Sequence, residues 1–445
     1  MTHYDLVIIG FGKAGKTLAK FAANEGKTVA MIEKDQKMYG GTCINVGCIP
    51  SKTLIHDSLE GSSFASAFDR KREVVDALNN KNYHMLVDTP GIDVINATAQ
   101  FKSNKEIVLL DEAGQELDVL TAEDILINTG STPVIPNIEG IGDSKHLYDS
   151  AGIMDLPFKP EHLVIVGAGY IALEFASLFA RFGVKVTMFV HHDTLLPKED
   201  REIAELIEED LIQDGVNIVY NVETQRFEDQ ERSTIVHTSQ GEFEADAVLL
   251  ATGRHPNTSD LGLDHTDIEV GKRGEIEVNE HLQTAVPNIY AAGDVTGGLQ
   301  FTYISLDDFR IIKDNIFGEG KRTTENRGVV PYSMFINPPF SRVGMTKDEA
   351  QAAGYEVHET NLAVKNIPRH KVNNDARGML KAVIDAQSGL VLGATLYCRN
   401  SEEIINLVKL AIDQNIPAEV LANNIYTHPT MAEAFNNIWL YNKFG

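Results

Sequence analysis

Two stretches constrain the fold of this 445-residue chain more than any other feature. In each, a short apolar run enters a glycine-rich turn and leaves it as a helix. Leu6–Ile9 runs into Gly10-Phe11-Gly12-Lys13-Ala14-Gly15, then into an apolar-periodic stretch through Ala23. His162–Val166 runs into Gly167-Ala168-Gly169-Tyr170-Ile171-Ala172, with alanine in place of the third glycine. The strand–turn–helix context is what separates a dinucleotide fingerprint from a chance run of glycines. The first glycine makes the tight turn, the second lets a pyrophosphate approach the backbone, and the third lets helix and strand pack; alanine serves there too. The helix N-terminus then faces the phosphates with its free N–H groups. Thr28–Ile32 reads as the second strand and ends in Glu33, whose carboxylate can accept from ribose hydroxyls. Two such units imply two bound dinucleotides and an α/β fold.

The units differ at the position that reads the ribose. Gly10 to Glu33 is 23 positions, and the same step from Gly167 reaches Val190, within VTMFVHHD. No carboxylate is there to repel a 2′-phosphate, and His191 and His192 offer donors. The spacing favours NADPH over NADH, while two merely exposed histidines would leave either cofactor acceptable.

Between the fingerprints lies YGGTCINVGCIPSK, Tyr39–Lys52. Cys43 and Cys48 are five positions apart, and an extended chain would hold them ~16 Å from each other. A disulfide needs the Cα atoms within about 7 Å, so one tight, distorted turn must bring them together. Gly40, Gly41 and Gly47 supply the backbone freedom, and Pro50 suits a helix start. A helix N-terminus beside a thiol is expected to lower its pKa. The local reading is a redox-active dithiol. A zinc half-site finds no partner: the only other cysteine is Cys398, and no Cys/His pair lies at zinc spacing. A structural bridge or two unrelated buried thiols are the remaining alternatives. Three cysteines, two of them in this pair, suit a reducing cytoplasm. With one such pair between two fingerprints, FAD falls in the first and a nicotinamide in the second.

The formal charge of −25 argues against nucleic acid and anionic membranes. Tyr4–Gly10 is already a buried-strand pattern, so no targeting segment is expected, and no apolar run approaches a membrane span.

GGTCINVGCIPSK resembles the active-site signature of the class I pyridine nucleotide-disulfide oxidoreductases, and the likeness extends over nearly the whole chain. The family resemblance implies roles for further residues. Gly41, Thr42 and the turn Thr129–Gly130–Ser131 would lie against FAD. Lys52 of the CIPSK motif would pair with Glu174, in the first turn of the second fingerprint's helix, beside the flavin. Asp294 of AAGDVTGG would reach the ribityl chain, and Gly253 of ATGRHPN would close the nicotinamide domain. Cys48 would face the flavin and Cys43 the acceptor. His428 of Thr427-His428-Pro429-Thr430 would be the acid/base, oriented by Glu433 and serving the partner subunit's dithiol in a homodimer. The implied organisation is two Rossmann-like dinucleotide-binding domains plus a C-terminal α+β dimerisation domain. Residues 1–150 and 276–326 would form the FAD domain, 151–275 the NAD(P) domain, and 327–445 the interface.

Coarser elements complete the reading. Ser58–Leu86 reads as one helix with a solvated Arg70-Lys71-Arg72 face. Ile92–Val119 reads as a strand meander, and Asp124–Gly130 and Phe243–Gly253 as single strands. The prolines from 133 to 160 mark a connection between domains. Beyond 327, strands are expected at Val330–Phe335, Leu380–Ile384 and Leu392–Cys398, and helices at Lys347–Ala353 and Glu402–Gln414, with Cys398 a core thiol.

Within the family, YGGTCINVGCIPSKTLIHD and GDVTGGLQFTYISLDDFR are most similar to bacterial reactive-chlorine-resistance flavoproteins, themselves mercuric-reductase-like. That implies an acceptor such as copper(II), reduced at Cys43 and Cys48, with no resident metal. Mercury is disfavoured because NIWLYNKFG lacks the metal-handing cysteine pair and because His428 is kept. The alternatives are dihydrolipoamide dehydrogenase or another disulfide reductase and, from a different class, a redox-sensing flavoprotein with little turnover.

Overall fold

The computed structural model describes residues 1–142 and 144–440, so 441–445 of the NIWLYNKFG stretch lie outside it. The chain divides into two units. The first comprises Met1–Pro136, Asp149–Phe158 and Thr252–Arg327; the second comprises Asn137–Tyr148, Lys159–Ala251 and Gly328–Gly445.

In the first unit a seven-stranded sheet runs Ile92–Asn96, Val29–Glu33, Thr2–Ile9, Glu116–Ile127, Glu106–Leu110, Thr98–Phe101, with Ile289–Ala291 alongside Glu116–Ile127. The first four strands and Ile289–Ala291 are parallel, with Leu6 opposite both Val29 and Asp124. The apolar run at the N-terminus follows from this position. Successive side chains point to opposite faces, and both faces of a parallel sheet are covered. Leu6 and Ile8 pack with Ala14, Leu18 and Ala22 of the fingerprint helix Lys13–Asn24, while Val7 and Ile9 join Ile107, Ile125 and Ile289 on the other side.

Three expectations change here. The stretch read as one helix, Ser58–Leu86, is the end of a helix Cys48–Leu59 and a second helix Phe64–Val87. Gly61 takes φ +78° at the break, and Ser63 caps the new helix by accepting from the Ser66 N–H at 3.2 Å. The break depends on a local glycine turn and a serine cap, which a reading by helix-forming composition passes over. Asp124–Gly130 is not a separate strand: it continues Glu116–Ile127, whose first half pairs antiparallel with Glu106–Leu110 and whose second half serves the parallel core. The basic cluster is not uniformly solvated either. Arg70 and Arg72 pair with Asp57 and Asp69, but Lys71 is buried against Asp155.

In the second unit a parallel sheet runs Val216–Tyr220, Lys185–Val190, His162–Val166, Ala247–Leu250, Leu147–Tyr148. The stretch Phe243–Gly253 is split between sheets: Gly241–Ala245 belongs to a three-stranded antiparallel sheet and Ala247–Leu250 to the parallel one. Asp246 makes the crossing, its carboxylate accepting from the backbone N–H groups of Glu161 and His162 at 2.8 Å each. Residues 252–275 lie in the first unit, where Arg254–Pro256 pairs antiparallel with Ser131–Pro133.

The remainder of the second unit is an antiparallel sheet, Tyr332–Met334, Phe340–Gly344, Val391–Tyr397, Met379–Asp385, Val357–Ala363. Helix Ser401–Asp413 lays Ile404, Ile405 and Val408 on its Leu380, Ala382 and Leu396 face, with Phe435 and Trp439 in the same core. Cys398, just beyond its strand, is fully buried there, and burial pushes its thiol well up. The expected helix at Lys347–Ala353 forms over Lys347–Ala352, started by Thr346 and Glu349 in a reciprocal capping box.

Candidate active site

The Tyr39–Lys52 stretch folds as two helical pieces joined by a kink. Thr42–Asn45 is a single turn, Val46 and Gly47 break it, and Cys48 begins Cys48–Leu59. The entry requires glycine. Gly41 has φ +84°, and a Cβ there would come within 2.9 Å of the Gly12 Cα. The dithiol loop and the fingerprint loop therefore meet backbone to backbone. Asn45 holds the turn shut, its amide donating to the Tyr39 and Gly41 carbonyls at 2.9 Å each, and Asn79 donates to Asn45 at 2.9 Å.

Cys43 is half-buried and Cys48 exposed, and the Cys48 sulfur lies 3.7 Å from the Thr302 hydroxyl. The thiol expected to be lowered by a helix N-terminus behaves differently at Cys43. It is held far above the usual range, first by its hydrogen bond to the Cys48 sulfur, then by burial and by negative charge on Cys48. Cys48, not Cys43, stands at the start of the longer helix. Two sulfurs in contact share one proton, and the second is hard to remove. Thr302 and the Lys16 ammonium pull the other way. Lys52 sits four residues past Cys48 on the same helix and so on the same face.

The first fingerprint has the expected form. Gly10 takes φ +98°, and a Cβ on it would stand 2.4 Å from the Asn128 carbonyl oxygen. In the first turn of the helix, the Ala14 N–H donates to the Ser305 hydroxyl at 3.1 Å and the Gly15 N–H to Asn128 at 3.0 Å. Glu33 ends its strand with the carboxylate turned back to the loop, accepting from the Phe11 N–H at 3.0 Å and the Asp35 N–H at 3.1 Å. Burial raises its pKa against those two bonds. The glycine turn between strand and helix, beside a helix N-terminus and a carboxylate at the strand end, fits a dinucleotide, while Gly12 itself is also required by the Asn128 side chain, which a Cβ would meet at 2.4 Å.

The Thr129–Ser131 turn is tied to the return segment. Ser131 donates to Asp294 at 2.7 Å, and Thr129 donates to the Asn257 carbonyl at 2.8 Å. The Gly130 carbonyl accepts from the Asn257 N–H at 2.9 Å. Sequence reasoning did not single out Arg254, which donates to the Ser131 hydroxyl and carbonyl at 2.9 and 2.6 Å. Burial lowers its pKa, opposed by Asp294, Asp149 and Cys48. Asn128, Asn257 and Lys16 were missed as well. Arg254 and Asn257 stand in the ATGRHPN segment, while Lys16 is one residue beyond the first fingerprint.

In the second unit Gly169 precedes the helix Tyr170–Arg181 with open space around its Cα, which suits a second pyrophosphate. Gly167 takes φ +125°. Tyr170 donates to Glu199 at 2.5 Å; Tyr332 and Arg342 also reach that buried carboxylate. Ile171 is exposed. Glu174 stands in the second turn of the helix rather than the first, accepting from the Phe335 N–H at 2.9 Å. Val190 is buried, whereas His191 and His192 are exposed and lie edge to face at 5.3 Å. Gly253 belongs to the first unit, its carbonyl accepting from the Val134 N–H at 2.9 Å.

His428 and Glu433 come together as expected, the ring Nδ1 2.6 Å from the Glu433 carboxylate and the ring largely exposed. Among the described residues no cluster of three His, Cys, Asp or Glu could hold a metal ion, and no helix is long and apolar enough to cross a membrane.

A dithiol turn packed on one dinucleotide loop, with a second dinucleotide fold and a separate antiparallel domain, defines a flavin- and nicotinamide-dependent oxidoreductase. The chain belongs to the pyridine nucleotide-disulphide oxidoreductase family: the family's model matches residues 4–308, and the model of its dimerisation domain matches residues 330–438. It is 48% identical over 440 residues to the probable pyridine nucleotide-disulfide oxidoreductase RclA of Escherichia coli (strain K12), covering 99% of each chain. It is 34% identical to a mercuric reductase of Staphylococcus aureus, covering 97% of this chain and 81% of the relative. A solved structure described as the Cu(II) complex of the HOCl-induced flavoprotein disulfide reductase RclA from Escherichia coli matches with a TM-score of 0.96 at 47% identity, covering 99% of each chain. This chain is accordingly a flavoprotein oxidoreductase of a family that depends on FAD and a pyridine nucleotide.

Proposed function

We propose that the Cys43–Cys48 pair cycles between disulfide and dithiol and passes its two electrons to reducible metal ions, first of all one to each of two copper(II) ions, which become copper(I), in defence against reactive chlorine. The observation that carries this is the contact of the two sulfurs within a turn packed directly on the first fingerprint. When bound, FAD and a nicotinamide supply the electron pair. Gly10, Gly12, Gly15, Glu33, Gly41, Thr42, Ser131 and Asp294 would hold FAD. Gly167, Gly169, Tyr170, Ile171, Val190, His191 and His192 would hold the nicotinamide, with NADPH favoured. Residues 1–150 and 276–326 would be the FAD domain, 151–275 the NAD(P) domain, and 327–445 the interface of a cytoplasmic homodimer.

The chain's own residues supply the rest. The contact between the sulfurs retains one proton after reduction, leaving a single thiolate as nucleophile or soft donor. Soft thiolates suit a soft, reducible ion. The choice of copper(II) rests on the relative described as its complex. His428, held by Glu433, would move the thiol proton for the partner subunit's pair.

That same His428–Glu433 pair favours a second reading, turnover of a dithiol such as dihydrolipoamide, and a dihydrolipoyl dehydrogenase of Bacillus subtilis (strain 168) is 31% identical. A steady-state screen of NADPH and NADH against copper(II), mercury(II), lipoamide and oxidised glutathione separates them. Copper(II) is expected to turn over fastest and with NADPH. Faster lipoamide reduction with NADH would establish the second reading, and slow nicotinamide oxidation with every acceptor would indicate a sensor.

Glu433→Gln gives a further test. It removes the negative partner of His428 and should cost about 10- to 100-fold in kcat for a disulfide acceptor, part of what general acid–base catalysis contributes. The nicotinamide KM should hold, and stopped-flow and steady-state rates on one preparation would show the split.

A further inference from the structure

The first fingerprint's helix carries a buried lysine at a position where packing alone would accept a small apolar side chain. Lys16 is 5% exposed, between the core residues Ala14 and Leu18. Burying an ammonium costs several kcal/mol unless polar groups and charge offset it. The Lys16 Nζ donates to the Gly40 carbonyl at 3.0 Å and to the Asn82 side chain at 2.7 Å. Asn82 is itself fixed by donating to the Leu78 carbonyl at 2.7 Å. Gly40 is the residue through which the chain enters the dithiol turn.

No carboxylate pairs with Lys16 among the described residues; the sulfur that acts on it belongs to Cys43, whose thiolate form favours the ammonium, and Lys13 on the same helix opposes its charge. Burial first, then Lys13, lowers the ammonium to about 8, and Cys43 acts in the opposite sense. The influence is mutual, since Lys16 also favours the Cys43 thiolate. Among the described residues, the Cys48 sulfur, the Thr302 hydroxyl and the Lys16 ammonium act most strongly on Cys43.

We propose that Lys16 is a positioning residue of the dithiol: it pins the Gly40 carbonyl at the mouth of the turn and places a water-excluded positive charge beside Cys43, so favouring the reduced pair over the disulfide. The inference rests on the redox reading of Cys43 and Cys48. The oxidised pair is neutral and the reduced pair carries thiolate charge, so a fixed cation stabilises only the reduced form. Removing the cation makes the pair harder to reduce, and so does adding an anion.

The test is the equilibrium of the pair in the flavin-loaded protein, under anaerobic conditions, against glutathione buffers of stepped ratio. As the Cys43–Cys48 bond opens, two glutathione thiols give up an electron pair and two protons and become one disulfide. Acid quenching, alkylation and mass analysis count the opened pair. Lys16→Met and Lys16→Gln should lower the reduced-to-oxidised ratio about tenfold, equivalent to ~30 mV for a two-electron couple. Lys16→Arg should recover most of it. Asn82→Asp, which keeps the lysine and adds an anion against it, should shift the ratio in the same direction as Lys16→Met. A ratio unchanged in Lys16→Met and Lys16→Gln with flavin still bound would overturn the inference. If those two variants do not fold, an unchanged ratio in Asn82→Asp overturns it instead. A wild-type pair that never opens at any glutathione ratio would overturn the redox reading of the pair itself.

Discussion

Replacing Cys43 or Cys48 with serine should abolish reduction of the acceptor while leaving the flavin bound. Serine cannot form the disulfide that takes up the electron pair on its way from the flavin to the acceptor, and the two sulfurs act as one unit, so the single variants should each be as inactive as the double. The expected loss is on the order of a hundredfold or more in kcat. Flavin retention follows from the structure: the contacts around the first fingerprint are made by Asn128, Ser305, Glu33, Ser131 and Asp294, none of which uses a cysteine. The two variants should also separate by role. With Cys48→Ser, Cys43 loses the sulfur that holds its thiol up, so its alkylation at neutral pH should quicken. The sign follows from the cause: a pKa raised by a neighbour falls when the neighbour goes, and the thiolate then appears at lower pH. Full acceptor turnover in both variants would refute the role assigned to the pair.

Gly41→Ala should be nearly as damaging by a different route. The new Cβ meets the Gly12 Cα at 2.9 Å, and the backbone there is at φ +84°. With ψ at −178° this positive-φ backbone is essentially restricted to glycine, and holding an ordinary residue in it costs about 1–3 kcal/mol. Overlap with backbone that cannot swing away adds about 1–3 kcal/mol. The loop can relieve this only by parting from the fingerprint, which separates the dithiol from the dinucleotide cradle. The expected result is a protein that loses most of its flavin on gel filtration and shows a lower thermal midpoint. Gly61→Ala, at a positive φ with open space around it, is the matched control and should keep its flavin.

Legibility differed between the parts of this molecule for physical reasons. The fingerprints could be read because a pyrophosphate demands glycine at fixed spacing after a strand, and Gly10–Gly15 and Gly167–Ala172 occupy the expected turns. The His428–Glu433 contact could be read because the HPT motif carries its glutamate five residues on. The helix break at Gly61 is hard to see in the sequence, since it depends on a cap at Ser63 rather than on a change in composition. The crossing at Asp246 is not visible in the sequence because Phe243–Gly253 reads as one strand, and only a carboxylate taking two backbone N–H groups sends its halves to different sheets. Lys71 looked solvated because three basic residues in a row usually are, and its partner Asp155 is 84 positions away. Lys16 and Arg254 escaped notice for the same reason: a long cation reveals its role only through what it reaches, here Gly40 with Asn82, and Ser131.

The central claim is that the protein stores electrons in sulfur as well as in flavin. An anaerobic titration with NADPH, followed by the flavin absorbance and by alkylation of Cys43 and Cys48, tests this most directly. The wild type should accept twice the reducing equivalents that its flavin alone can hold, with both cysteines becoming alkylatable, and Cys43→Ser should accept only the flavin's share. A wild type that takes up no more than Cys43→Ser would contradict the account.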